Sequence, residues 1–98
     1  MSKGFWLVTT TVTNQAFAEY VEAFQPWIDS VGGSVFAKDL DSKTVEGKGG
    51  KLSVIFEFQS KQAAIDAYNS AEYKELSNLR WANSIDTNIT IMDAGVTH

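Results

Sequence analysis

An α+β fold, with one antiparallel sheet covered by helices on one face, is predicted by three observations. Residues 5–12 and 52–58 are dense in β-branched and aromatic types, the composition of strands. The segments after Asn14 and after Ser60 instead place apolar residues three and four apart, the spacing of an amphipathic helix. Glycine-rich and polar stretches at 32–33 and 41–50 punctuate these segments. At 98 residues the chain has the length of one domain, so the elements are expected to share a single core.

The first strand is expected over 5–12, where Leu7 is the sole helix former. Asn14 then offers an N-cap, and Phe17, Tyr20, Val21, Phe24, Ile28 and Val31 form the apolar stripe of the first helix. Pro26 falls inside that span. It lacks an N–H and crowds the carbonyl four residues back, which predicts a kink or a break into two short helices near Phe24. Gly32 and Gly33 close the helix. A more polar strand is expected over 34–40, then a flexible hairpin connection over 41–50. Residues 52–58 read as the strongest strand. Ser60 caps a helix through Ala63, Ala64, Ala67 and Tyr68, and Ser70 caps a second helical piece with Glu72 in its first turn and Tyr73, Leu76 and Leu79 as its stripe. Residues 86–92 make the last strand.

Strand, helix, strand, strand, helix, strand is the ferredoxin-like βαββαβ order, in which two right-handed crossovers interleave into a four-stranded antiparallel sheet with the helices on one face. Strands one and three, the more apolar, are expected at the centre. Alternation puts Leu52, Val54, Phe56, Phe58, Ile89 and Ile91 on one side, and Ser53, Ile55, Glu57, Asn88, Thr90 and Met92 on the other. Strand one carries a large pair on each side, Phe5 with Leu7 and Trp6 with Val8. The side away from the helices is therefore too apolar to be left to water. A second copy of the chain, packed sheet to sheet about a two-fold axis, is the economical cover, so a homodimer is expected.

Composition narrows the function. Twelve acidic side chains against eight basic ones, with Arg80 the only arginine, give a net charge of −4 and lack the basic footprint that nucleic acid requires. No apolar run approaches a membrane span, and the first residues carry too short an apolar stretch for a signal peptide, so a cytoplasmic protein is expected. The absence of cysteine excludes disulfides and thiolate chemistry. With His98 the only histidine, in a tail expected to fray, there is no ligand set for zinc, no histidine for haem and no serine–histidine–aspartate triad. Gly47, Gly49 and Gly50 are not followed by the Lys-Ser or Lys-Thr pair of a phosphate loop, and they lead into a strand. Neither a metal nor a cofactor is expected.

Several short motifs, taken in order and spacing, carry a resemblance. Gly32-Gly33 precedes strand two, Glu46-Gly47 lies in the hairpin, and Glu57-Phe58-Gln59-Ser60 ends strand three. Tyr68-Asn69-Ser70-Ala71-Glu72-Tyr73 comes next, with Leu76 and Arg80 beyond it. Across essentially the whole chain this pattern resembles the family known as domain of unknown function 1330 (DUF1330). The resemblance implies a ferredoxin-like protomer that pairs into a dimeric α+β barrel, an architecture shared with antibiotic-biosynthesis monooxygenases and muconolactone isomerases. It brings no activity with it. Two positions depart from the family pattern: Lys38 stands where members often carry arginine, and Gln59 where they usually carry proline. Lysine cannot reproduce the planar, two-pronged grip of a guanidinium, so an anion site using position 38 is altered here.

Four residues stand out for chemistry. Glu57 sits late in a central strand on the side turned from the helices, where a half-buried carboxylate is a candidate general base; the alternative is an ion pair with Lys38 on the neighbouring strand. Arg80 is a candidate holder of a ligand carboxylate, or an anchor for Glu57 or Glu46. Tyr68, with Tyr73, is a candidate pocket wall between helix and sheet, although aromatics at helical spacing also serve simply as core. Glu46 on the glycine-rich hairpin can reach across a dimer, or can equally be a solvated loop residue. The sequence thus points to a cofactor-free homodimer that binds a small organic molecule between sheet and helices. If the protein is an enzyme, the class suggested is isomerase-like or monooxygenase-like, with Glu57 as base and Arg80 as anion holder. The alternative is a non-catalytic dimerisation or regulatory module whose interior is packed core, without room for a ligand.

Overall fold

The computed structural model of the chain describes residues 2–95; His98, expected to be a passive tail residue, lies outside them. Seven elements succeed one another: β1 (Gly4–Val12), α1 (Phe17–Ser30), β2 (Ser34–Asp39), β3 (Leu52–Phe58), α2 (Lys61–Asn69), α3 (Ala71–Asn83) and β4 (Ser84–Asp93). The strands form one antiparallel sheet in the order β2-β3-β1-β4, which is the expected ferredoxin-like arrangement with β1 and β3 central. The second helical position is filled by the pair α2 and α3. Ser60 Oγ accepts from the Ala63 N–H at 3.0 Å and Ser70 Oγ from the Tyr73 N–H at 3.2 Å, so both serines cap the helices as expected.

Register fixes the faces. Trp6 lies opposite Phe56 and Ile91, and Val8 opposite Val54 and Ile89, which gathers these side chains under the helices. Phe5, Leu7, Ile55, Glu57 and Met92 fall on the other side. The core is aromatic and centres on Trp6, only 1% exposed, which packs against Phe24, Trp27, Phe58 and Tyr73 while its indole N–H donates to the Ala64 carbonyl at 2.9 Å. Each aromatic of this size buries a large apolar area, and the one polar atom of Trp6 is satisfied, so its burial leaves no hydrogen bond unmade. Gly4 lets β1 run directly beside the start of α2: a Cβ there would collide with the Ser60 carbonyl.

Four local expectations are corrected. First, α1 runs unbroken through Pro26 from Phe17 to Ser30. Pro26 and Glu22 both lie on the exposed side, where water can take the carbonyl that proline leaves without a donor, while Tyr20, Phe24, Trp27 and Ile28 are buried on the opposite side and hold the helix together. Second, Asn14 does not cap α1 itself. Its Oδ1 accepts from the Ala16 N–H at 2.9 Å, an Asx turn one step before the helix, and α1 has no side-chain cap. Third, β4 starts at Ser84, immediately after α3, and enters the sheet through an irregularity where Asp86 takes φ 54°. Fourth, Trp27 belongs to the buried stripe of α1, whereas Val21 is 40% exposed. Gly32, at φ +76°, turns the chain out of α1, a conformation that glycine adopts without strain. The hairpin over 41–50 is tied to the sheet by Ser42, whose hydroxyl lies 2.7 Å from that of Ser53 and whose N–H donates to the Lys51 carbonyl.

Candidate functional site

The helices do not sit evenly on the sheet. The shorter α2 lies directly on it, whereas α1 rests mainly on α3 and is held off the strands by its own aromatic side chains. A cavity of about 80 Å³ occupies the space beneath α1. Its walls are Trp6, Val8, Val54, Phe56 and Ile89 from the sheet and Phe17, Tyr20 and Phe24 from α1. Exposed side chains of Val21, Gln25, Val35 and Lys38 surround its mouth.

The inner end is polar and is built by α1 and α3 together. Tyr20 and Tyr73, both buried, share a hydrogen bond between hydroxyls at 2.9 Å. Arg80, one and two helical turns from Leu76 and Tyr73 on α3, is 3% exposed; its Nε donates to the Tyr73 hydroxyl at 3.3 Å, and its guanidinium carbon lies 4.6 Å from the centre of the Trp81 ring. Its Nη1 is buried and makes no hydrogen bond to the protein. No carboxylate pairs with it: among the described residues the only ion pair is Asp41 with Lys51, and it is exposed. Burial, above all, and then the neighbouring Tyr73 hydroxyl push the Tyr20 phenol far up, so it stays neutral and keeps its proton. Thr10, 1% exposed, also lines the cavity, with its hydroxyl 2.7 Å from that of Thr87 on β4.

The residues singled out from the sequence fall in different places. Arg80 and Tyr73 line the cavity. Tyr68 does not: it is half-buried behind them, with its ring 5.4 Å from Tyr73 and 5.8 Å from Trp6. Glu46 is exposed on the hairpin. Glu57 is half-buried on the far face of the sheet, opposite Phe5 and Ser34, so neither it nor Glu46 is anchored by Arg80. The Glu57–Lys38 ion pair is also absent, for a reason visible in β2. Ser34 is the residue opposite Glu57 and Lys38 lies four residues further along the strand, where a bulge between Val35 and Ala37 sets it against Val54 on the helix side. The extra residue, Phe36, stays on the open face with its ring 5.7 Å from Phe5. Sequence reasoning missed the hydroxyl of Tyr20 and the placement of Lys38. The first was hidden in an apolar stripe; the second depended on a bulge that alternation alone does not announce.

On the open face Phe5, Leu7, Ile55, Phe36 and Met92 come together, with Phe36 62% and Met92 38% exposed. No helix is long and apolar enough to cross a membrane, and no group of three or more histidine, cysteine, aspartate or glutamate residues is placed to hold a metal, among the described residues.

The chain matches the family model of a domain of unknown function, DUF1330, over residues 3–94. No curated protein matches it. Among solved structures, a protein of unknown function from Rhodopseudomonas palustris superposes with a TM-score of 0.73 at 16% identity, covering 98% of this chain and 85% of that one. A dabb family protein with a ferredoxin-like fold from Mesorhizobium loti gives 0.64 at 10% identity, covering all of both chains. A Nitrosomonas europaea protein provisionally assigned as an antibiotic biosynthesis monooxygenase gives 0.62 at 10% identity, covering 95% of this chain and 90% of that one. At these identities the likeness is one of fold.

Proposed function

The chain belongs to the DUF1330 family, and from that premise we propose that it is a homodimer joined through the open face of its sheet, each protomer binding a small organic molecule beneath α1. The observation that carries this reading is the cavity itself, an apolar chamber with a polar inner end and an open mouth, the form that small-molecule sites take. A module whose interior is only packed core would have no reason to hold α1 off the sheet. The cluster of Phe5, Phe36, Ile55 and Met92 supports the dimer, since apolar side chains gathered on one face are the usual mark of an interface.

The cavity offers donors and apolar walls, and no carboxylate or imidazole lines it. That set favours binding, or polarisation of a bound oxygen, over proton abstraction, and Glu57, on the far face, stands at the proposed interface. The likeness to the Nitrosomonas protein supports the architecture alone. A native mass spectrum of the protein purified from its own cells tests both halves of the reading. A dimer carrying extra mass is the expected result; a bare monomer overturns it.

A further inference from the structure

If the cavity binds a small molecule, its lining also selects the kind, and the ligand class assigned here rests on that binding reading. Two basic side chains and no acidic one line the cavity, in a chain whose net charge is −4. One of them, Arg80, is almost wholly removed from water by the rest of the fold yet has no anionic partner, and its Nη1 has no partner of any kind within the protein. A buried guanidinium left this way is costly, and the usual resolution is a paired anion. The hydrogen-bond directions at the inner end agree. Arg80 Nε donates to the Tyr73 oxygen, and the two phenols share one hydrogen between them, so one phenolic hydrogen is left over in either arrangement. The inner end of the cavity is therefore lined by residues that hold an unpartnered guanidinium nitrogen and a spare phenolic O–H, two donors, with no carboxylate among the lining residues to accept from them.

We propose that the ligand is a small monocarboxylate, its carboxylate held by Arg80 and the Tyr20–Tyr73 pair and its short apolar chain lying between Phe24, Phe56 and Val8 toward Lys38 at the mouth. One buried cation neutralises one charge, which suits a carboxylate better than a phosphate dianion, and the walls are apolar where further phosphate oxygens would point. The cavity is roughly half the volume of an apolar cavity known to hold benzene, so the chain is short and its end lies near the mouth.

The test compares butyrate with butyramide, its uncharged isostere, titrated into the full-length protein and followed by NMR. Butyrate is expected to shift the side-chain resonances of Val8, Phe24 and Ile89 together with the Arg80 Nε–H, and to bind at least about tenfold more tightly than butyramide. Arg80→Gln, if it folds, removes that preference. Where it does not fold, Tyr20→Phe weakens butyrate several-fold and leaves butyramide less affected. Equal or tighter binding of butyramide in the same cavity overturns the carboxylate assignment and leaves the binding reading standing. Failure of both probes to move any cavity resonance overturns the assignment and the binding reading together.

Discussion

Replacing Tyr73 by phenylalanine removes one oxygen and nothing else, and in the structure this oxygen has two partners. The hydroxyl is 2.9 Å from that of Tyr20 and accepts from Arg80 Nε at 3.3 Å, all three residues being buried. Tyr73→Phe leaves a buried charged donor with no acceptor at Nε as well as Nη1, a loss of about 1.5–3 kcal/mol for a hydrogen bond to a charged group, and leaves the Tyr20 hydroxyl unpaired for about 1 kcal/mol more. The sum is about 3 kcal/mol, or a fall in Tm of roughly 12–24 °C at about 4–8 °C per kcal/mol for a domain of this size. Tyr20→Phe breaks only the bond between the phenols, keeps Tyr73 for Arg80, and is expected to cost about 1 kcal/mol. Urea unfolding of both variants and the parent, at one fixed protein concentration because association adds to stability, gives the comparison. If Tyr20→Phe costs as much as Tyr73→Phe, the shared oxygen is not the centre of the cluster and the assignment of its two partners is refuted.

Other parts of the molecule yield three more expected outcomes. Because burial raises the Tyr20 phenol in the folded state, the unfolded chain loses that proton first once pH passes about 10, and stability falls with rising pH by about 1.4 kcal/mol per unit beyond that point. Alkaline unfolding curves should show this slope in the parent and a shallower one in Tyr20→Phe; equal slopes would remove Tyr20 as the cause. Ile55→Lys places a charge in the middle of the open face without touching the core, and light scattering should report a folded monomer; a dimer that survives would rule out this face as the interface. Pro26→Ala restores an N–H for the Glu22 carbonyl and removes about 3 kcal/mol of helix-interior penalty, less up to about 1 kcal/mol of unfolded-state entropy that proline had removed. A net gain of about 2 kcal/mol is expected by urea unfolding, and a loss would mean that α1 depends on its proline.

The fold was legible because its signals were local and repeated. Ser60 and Ser70 each stood at the head of an apolar stripe, and the alternation in β3 named its buried side correctly, whereas β1, with a large pair on each side, was settled only by its register with β3. Pro26 misled because propensity counts the missing N–H but not the four large side chains that anchor α1 on both sides of it. The candidate site was harder to read. Arg80 could be chosen as the sole arginine, but its lack of a partner is a property of three-dimensional surroundings. Tyr20 sat in a stripe that only a core was needed to explain, and its hydroxyl mattered because α3 brought Tyr73 to it from 53 residues away. Glu57 was placed on the right face, and that placement is what separates it from Arg80.

The bulge in β2 has a consequence for how such chains vary in length. Two residues there, Phe36 and Ala37, stand against the single Ile55, so the strand carries one residue more than its ladder needs. Deleting Phe36 would let the backbone close into a regular pairing with Val35 still facing Phe56 and Lys38 still facing Val54. A residue lost from a regularly paired stretch would turn every later side chain of its strand to the wrong side. Here it costs only the contact between Phe36 and Phe5, and the lysine at the cavity mouth stays where it is. Phe36 is thus where an insertion or deletion can accumulate over evolutionary time without moving the site. Alignments of this strand with shorter relatives should open their gap at that residue.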